Sequence, residues 1–407
     1  MSHQAPIVCV AEAKVPGLIA ALKTSLKYSV TEAPPDKAQA TIAETRPAAV
    51  IIAEPQAAPA LIAEIARQVE AMKGAYVPVL AHVTEESAAA VVPMPVDAPP
   101  GHAVARLGAA LRIQALHATV LRRATGHSRA TIAAAADDAT VLVAGRGGSY
   151  PALSTAVGEK VGLVGALSLE TAQRYLDRRD IDGLVIGDGF SGRTVEAFIA
   201  TLGADVRFRD LPVIVADSRV GALDFAALAN GDRIRGGTDH VLAHLLPLTR
   251  LHAFGARLKR LARALEADGL VDADTGLMTH DAFMRDLARA VDDCRERTGK
   301  LSLARFSFPH IGRPASIDAA RIVSRLVRDS DFACRNDDSS IHVAFGDTDL
   351  RVAHVVARRI ASVLKHTMLA PAADAPPLAP EVALVTRQAA DSAETLLARL
   401  TPAIAAE

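Results

Sequence analysis

Through residues 6 to 83, short β-branched runs alternate with Ala/Leu-rich stretches of helical character. The runs Ile7–Val10, 28–30, 49–52 and 77–83 read as strands; 17–26, 36–46 and 60–72 read as helices. Strict alternation of this kind predicts parallel strands joined by crossover helices. The Pro/Ala-rich segment 91–100 reads as loose. Residues 107–123 then read as a helix carrying Leu107, Leu111, Leu116, Val120 and Leu121 on its apolar face. Past a polar break at Asp137 and Asp138 the pattern returns, with strands at 141–144, 161–166, 183–186 and 212–216 and helices at 151–158, 168–177, 194–202 and 222–229. The chain thus holds an internal repeat of about 130 residues, far longer than a solenoid period.

From Leu251 the apolar residues Leu251, Phe254, Leu258, Leu261 and Leu265 follow a three-four spacing. Over two heptads this fits either the buried flank of a domain helix or a two-chain coiled coil. The last third predicts a strand at 301–308 leading almost directly into a helix, a helix end at Arg328 to Asp331, and a hairpin whose polar tip is Asp337 to Ser340. A Pro/Ala loop at 370–380, a strand at 382–386 and a helix at 393–400 complete it.

At 407 residues the chain suggests about three domains of 100–150 residues. Half of the residues are hydrophobic, enough for large cores, and a net charge of -1 shows no broad electrostatic footprint for nucleic acid or an anionic membrane. Cys9, Cys294 and Cys334 are widely spaced and form no Cys-x-x-Cys pair, which fits buried thiols in a reducing cytoplasm better than disulfides or zinc ligands. No leader pattern and no apolar run of about 18 residues is present, so a cytoplasmic protein without membrane insertion is expected.

The most informative chemistry is at Arg328 and Asp331. Separated by two residues at a helix end, they offer a guanidinium fork and a carboxylate to one ligand. The same spacing also suits an ordinary surface ion pair worth a few tenths of a kcal/mol.

With five residues, Phe332 to Asn336, between Arg-x-x-Asp and the tip Asp337-Asp338-Ser339-Ser340-Ile341, this stretch resembles the GGDEF domains of diguanylate cyclases. Residues 272–283 resemble the family's opening motif, with Asp274, Thr279 and His280 as departures. The similarity covers about residues 266 to 405. It implies that Ser307 stands where a metal-binding Asp is usual, that Ser339 and Ser340 replace the acidic pair, and that Asp337 and Asp338 replace two glycines beside the nucleotide. The substrate loop after the first strand is nearly deleted at 311–315, and His310 lacks flanking carboxylates and reads as a surface or cap residue. No Lys follows Lys365 to contact a triphosphate. Neutral hydroxyls do not replace carboxylates on a hard divalent cation, so bound Mg²⁺ and cyclase activity are not expected. The family's inhibitory site for cyclic di-GMP is matched instead by Arg328 and Asp331, with Arg359, 22 residues past Asp337, as a further contact.

Both copies of the N-terminal repeat resemble response-regulator receiver domains. That resemblance places Ala11-Glu12 and Gly145-Arg146 at the acidic pairs and Ala53 and Gly187 at the phosphoacceptor positions, beside Glu54 and Asp188. With no Lys between Lys73 and Lys160 or between Lys160 and Lys259, neither copy supplies the fifth-strand Lys. Asp188 is either a shifted acceptor or, like Glu54, a solvated carboxylate at a strand end.

The expectation is an α/β chain: tandem receiver-like (flavodoxin-like, doubly wound parallel-sheet) domains at 1–125 and 136–250, a connecting helix at 251–268, and a degenerate GGDEF-like α+β domain at 269–407. This arrangement resembles bacterial PleD/PopA-type proteins. It implies a non-catalytic, homodimeric cyclic di-GMP effector with protein partners yet to be identified. A signalling scaffold that binds no nucleotide is the alternative, and a residual cyclase a third.

Overall fold

The computed structural model describes residues 5–54, 57–72, 74–83, 91–94, 99–123, 139–217, 220–267, 269–297, 300–309, 311–328, 330–367 and 379–400. Asp137, Asp138, Pro95, His310 and most of the 370–380 loop lie outside them. The chain divides into two compact units, Met1–Arg174 with Ile181–Lys259, and Tyr175–Asp180 with Arg260–Glu407.

The first unit holds two five-stranded parallel sheets. One contains β1 (Ile7–Val10), β2 (Val30–Ala33), β3 (Ala49–Ile52), β4 (Val79–His82) and β5 (Val91–Met94) in the order β2-β1-β3-β4-β5. Its helices are α1 (Pro16–Leu26), α2 (Ala38–Thr45), α3 (Pro59–Glu70) and α4 (Pro100–Arg123). The other contains β6 (Thr140–Ala144), β7 (Gly162–Ala166), β8 (Gly183–Ile186), β9 (Val213–Val215) and β10 (Gly231–Arg233) in the equivalent order. Its helices are α5 (Tyr150–Gly158), α6 (Leu169–Arg178) and α7 (Gly192–Ala204), followed by α8 (Thr238–Glu266). Order 2-1-3-4-5 is a doubly wound arrangement that covers both sheet faces. It explains why β1, β3 and β8 are unbroken apolar runs, buried at every position.

β10 and the span of β2 differ from the sequence reading, and so do three further elements. Residues 91–94 form β5, where Pro93 is tolerated because β5 is an edge strand. Residues 222–229 make turns instead of a helix: Ala226 N–H donates to Asp224 Oδ1 (2.8 Å), and Ala229 N–H donates across to Arg209 O (3.1 Å). The helix expected from 251 begins at Thr238 and runs through Pro247. Leu251, Phe254 and Leu258 are buried in the first unit, with Phe254 edge-on to His117 at 5.0 Å, so this half of the seam is a domain flank.

The second unit is built on an antiparallel sheet ordered β12-β13-β11-β14, from β11 (Leu301–Ser307), β12 (Phe332–Arg335), β13 (Ile341–Gly346) and β14 (Glu381–Thr386). Alternation sorts its faces. Ala304, Phe306, Ile341, Val343 and Phe345 pack against α10 (Arg313–Leu326) and α11 (Leu350–Thr367). Leu301, Leu303 and Ala344 pack against α9 (His280–Arg297) and α12 (Ala393–Ala398). Among the described residues no helix is long and apolar enough to cross a membrane.

Candidate functional site

β12 and β13 form a hairpin with chemistry at both ends. At the tip, Asn336 N–H donates to Ser340 O (2.8 Å) and Ser339 N–H to Asn336 O (3.0 Å), with Ser339 in the left-handed region at φ 66°. Such a backbone suits glycine, so the exposed polar loop carries its strain in a serine. Asp338 folds back over the turn: Oδ1 accepts from Ser340 N–H (2.9 Å) and Ser340 Oγ (2.6 Å), and Oδ2 accepts from Arg305 Nη2 (2.7 Å). Burial alone would raise the Asp338 pKa, but the Ser340 and Arg305 contacts outweigh it and hold the carboxyl below its ordinary range. Asn336 Nδ2 also donates to Ser340 Oγ (3.0 Å), and Ser340 is 2 % exposed. Ser307 ends β11 at this same end of the sheet, because Phe306 pairs with Ile341. Asp337 is exposed.

At the opposite end, about 17 Å away by strand rise, lie Arg328 and Asp331. α10 ends at Leu326 and Val327 is extended (ψ 141°), so both residues fall in a turn after the helix and not in its last turn. Asp331 N–H donates to Arg328 O (2.9 Å), while Asp331 Oδ1 accepts from Gly346 N–H (3.2 Å) and Ser330 Oγ (3.4 Å). Gly346 is required here, since a Cβ would meet Ser330 O at 2.8 Å. Burial pushes the Asp331 pKa up, only partly offset by the Gly346 and Arg328 backbone bonds and the Arg328 charge. Arg328 is exposed, and among the described residues no side-chain ion pair joins it to Asp331. Arg359 is exposed on α11 between buried Ala357 and Ile360, about 14 Å along the helix from Leu350. α10 and α11 pack on one face of the sheet, with Arg328 in the turn that follows α10 and Arg359 on the exposed side of α11.

At the strand ends of the first unit, Glu54 follows β3 and is partly exposed. Asp188 follows β8 with its carboxylate engaged: Oδ1 accepts from Ser149 N–H (3.2 Å) and Ser149 Oγ (2.5 Å). A Cβ at Gly147 would collide with that carboxylate, so the 147–149 loop is shaped around it. Among the described residues no three His, Cys, Asp or Glu side chains gather as a metal-ligand set.

Sequence reasoning missed a buried charged cluster. Arg106, fully buried on α4, pairs with Asp232 Oδ2 of β10 at 2.8 Å and donates to Pro93 O (2.7 Å); His102 Nε2 lies 3.2 Å from Asp232 Oδ1. The only signal was an Arg on the apolar face that also carries Leu107 and Leu111.

The chain is similar to solved GGDEF domains over about a third of its length. The coiled coil and GGDEF domain of DgcB from Caulobacter crescentus, in complex with c-di-GMP, matches at 20% identity, covering 36% of this chain and 85% of that one, with a TM-score of 0.31. The diguanylate cyclase SiaD from Pseudomonas aeruginosa, in complex with its activator SiaC, matches at 16% identity, covering 35% and 59%, with a TM-score of 0.30. The GGDEF domain of FimX from Pseudomonas aeruginosa matches at 15% identity, covering 32% and 88%, with a TM-score of 0.28. No family model and no curated protein matches the chain.

Proposed function

We propose that this protein is a GGDEF-type signalling effector that binds cyclic di-GMP through Arg328, Asp331 and Arg359 and does not synthesise it. The observation that carries this reading is the contrast within one hairpin. Arg328 is exposed with no ion pair among the described residues, beside a carboxylate fixed by Gly346, whereas at the tip the Asp338 carboxylate is taken up by Arg305 and Ser340. Arg pairs in a bidentate way with a guanine edge or phosphate and stacks on a base, and a carboxylate such as Asp331 accepts from guanine N–H groups.

The tip does not fit the divalent cations of a cyclase. Ser307, Ser339 and Ser340 bring hydroxyls, and the one oriented carboxylate, Asp338, already holds Arg305 and Ser340. Asp337 adds a further negative charge where a nucleotide triphosphate would lie, at a cost of about 1–4 kcal/mol for unit charges 4 Å apart at surface dielectrics. In the first unit, the receiver-like strand ends hold Glu54 and an Asp188 occupied by Ser149, which favours scaffolding and dimerisation over phosphoryl transfer.

A thermal-shift series on the full chain tests the reading. Cyclic di-GMP at a hundred times its Kd is expected to stabilise the second unit by about 2.7 kcal/mol, and the same concentration to stabilise Arg328→Ala by only about 0.4 kcal/mol. An unshifted wild type would favour the alternative of a scaffold that binds no nucleotide, and cyclic di-GMP formed from GTP and Mg²⁺ would reinstate the enzyme.

A further inference from the structure

The first unit contains a cavity of about 850 Å³ where the C-terminal edges of its two sheets meet the start of α4 and of α8. That volume is within the roughly 300–1,000 Å³ of small-molecule sites. Its walls are apolar: Met94 of β5, Leu223, Ile234 and the ring of Phe225. Phe225 lies flat over Gly231, where any Cβ would strike the ring, so β10 gives up a side chain to let an aromatic wall form.

The polar groups converge on the inner end and the mouth. At the inner end, Asp232 is 3 % exposed, and its charge is matched by fully buried Arg106 at 2.8 Å, with His102 at 3.2 Å on its other oxygen. This end is therefore polar but close to neutral. His240 and His244, edge-on at 4.8 Å, also line it; burial keeps the His244 pKa below its ordinary value, which favours the neutral ring. At the mouth, Arg233 is committed to Val220 O (2.7 Å) and Gly221 O (2.6 Å), and Asp224 accepts from Ala226 N–H (2.8 Å). Arg235 lines the cavity, is exposed, and takes no partner among the described residues. With Asp232 offset by Arg106, the remaining charged lining residues among the described ones are Asp224, Arg233 and Arg235, two guanidiniums to one carboxylate.

From the apolar walls, the charge-matched inner end and the open guanidinium of Arg235 at the mouth, we infer that this cavity binds a monoanionic small molecule with an apolar body, such as an aromatic or medium-chain carboxylate. A nucleotide with several phosphates would need more open donors than one. Its headgroup sits at Arg235 and its body lies against Phe225 and Met94. Because the cavity is bounded by both sheets, an occupant touches both halves of the unit.

The probe is 8-anilinonaphthalene-1-sulfonate, an aromatic monoanion whose fluorescence rises on leaving water, titrated into the full chain. A saturable rise with one site per chain, displaced by decanoate, is expected. Arg235→Glu, a change at an exposed residue, is expected to weaken binding at least tenfold. Ala105→Trp, which fills the cavity from α4, is expected to abolish it. Thermal melts of both variants establish that they fold, and if Ala105→Trp does not, Arg235→Glu decides alone. The inference is overturned if the wild type gives no saturable rise, if folded variants bind as the wild type does, or if the uncharged N-phenyl-1-naphthylamine binds as tightly. None of these outcomes depends on cyclic di-GMP.

Discussion

The two ends of the β12–β13 hairpin carry similar residue types and opposite electrostatic conditions. At the tip, Asp338, Arg305, Ser340 and Asn336 satisfy one another within 3.0 Å, so the Asp338 and Arg305 charges are spent on each other. At the base, Asp331 is anchored by backbone donors while Arg328 is exposed, with no ion pair among the described residues. What a site can bind is set less by which ionisable residues it holds than by which of them the fold leaves unspent.

The largest expected effect concerns the open end. Arg328→Ala should weaken cyclic di-GMP binding by on the order of 100-fold, the loss of roughly 3 kcal/mol from charge-assisted bonds, measured by equilibrium dialysis. Unchanged affinity would break the contrast. A second effect sits between the two ends. His342, partly buried on β13 with Nδ1 unpaired, has its pKa lowered to about 4 by burial and, to a smaller degree, by Arg305. A folded pKa below the unfolded value means the unfolded chain takes the proton first. Stability is therefore complete above about pH 6.5 and lost as pH falls toward 4, by up to about 3 kcal/mol at 1.4 kcal/mol per pH unit. Urea melts at pH 7 and pH 4.5 should show that slope, and His342→Leu should flatten it.

These effects were unequally legible in the sequence. β1, β3, β6 and β8 are short runs dominated by Val, Ile and Leu, as doubly covered strands require, so they could be read directly. Val91–Met94 could not, because Pro93 reads as a breaker unless the strand is known to be an edge. Residues 222–229 have helical composition, yet Asp224 caps a turn and Phe225 is drawn over Gly231. The spacing of Arg328 and Asp331 was visible, but not that α10 stops at Leu326 and that Gly346 holds Asp331. Arg305 with Asp338, and Arg106 with Asp232, pair across more than thirty positions, and only the fold brings such partners together.

A smaller effect sharpens the open end. Asp331→Asn keeps an acceptor but removes the charge, and about a tenfold loss of affinity is expected. Because burial raises the Asp331 pKa, wild-type binding should also fade at a higher pH than an ordinary aspartate would dictate, and the mutant should not follow that profile. The smallest effect belongs to the tip. Asp338→Ala breaks a surface pair with Arg305 and loosens the turn, lowering stability by about 1 kcal/mol, read from chemical melts, while leaving affinity for cyclic di-GMP unaltered.

The most direct test is calorimetric titration of the full chain with cyclic di-GMP, run in parallel on the wild type, Arg328→Ala and Asp338→Ala. The account predicts saturable heat at micromolar concentration or tighter for the wild type and Asp338→Ala, and binding weaker by on the order of 100-fold for Arg328→Ala. A silent wild type, or an Arg328→Ala chain that binds as well as the wild type, would contradict it.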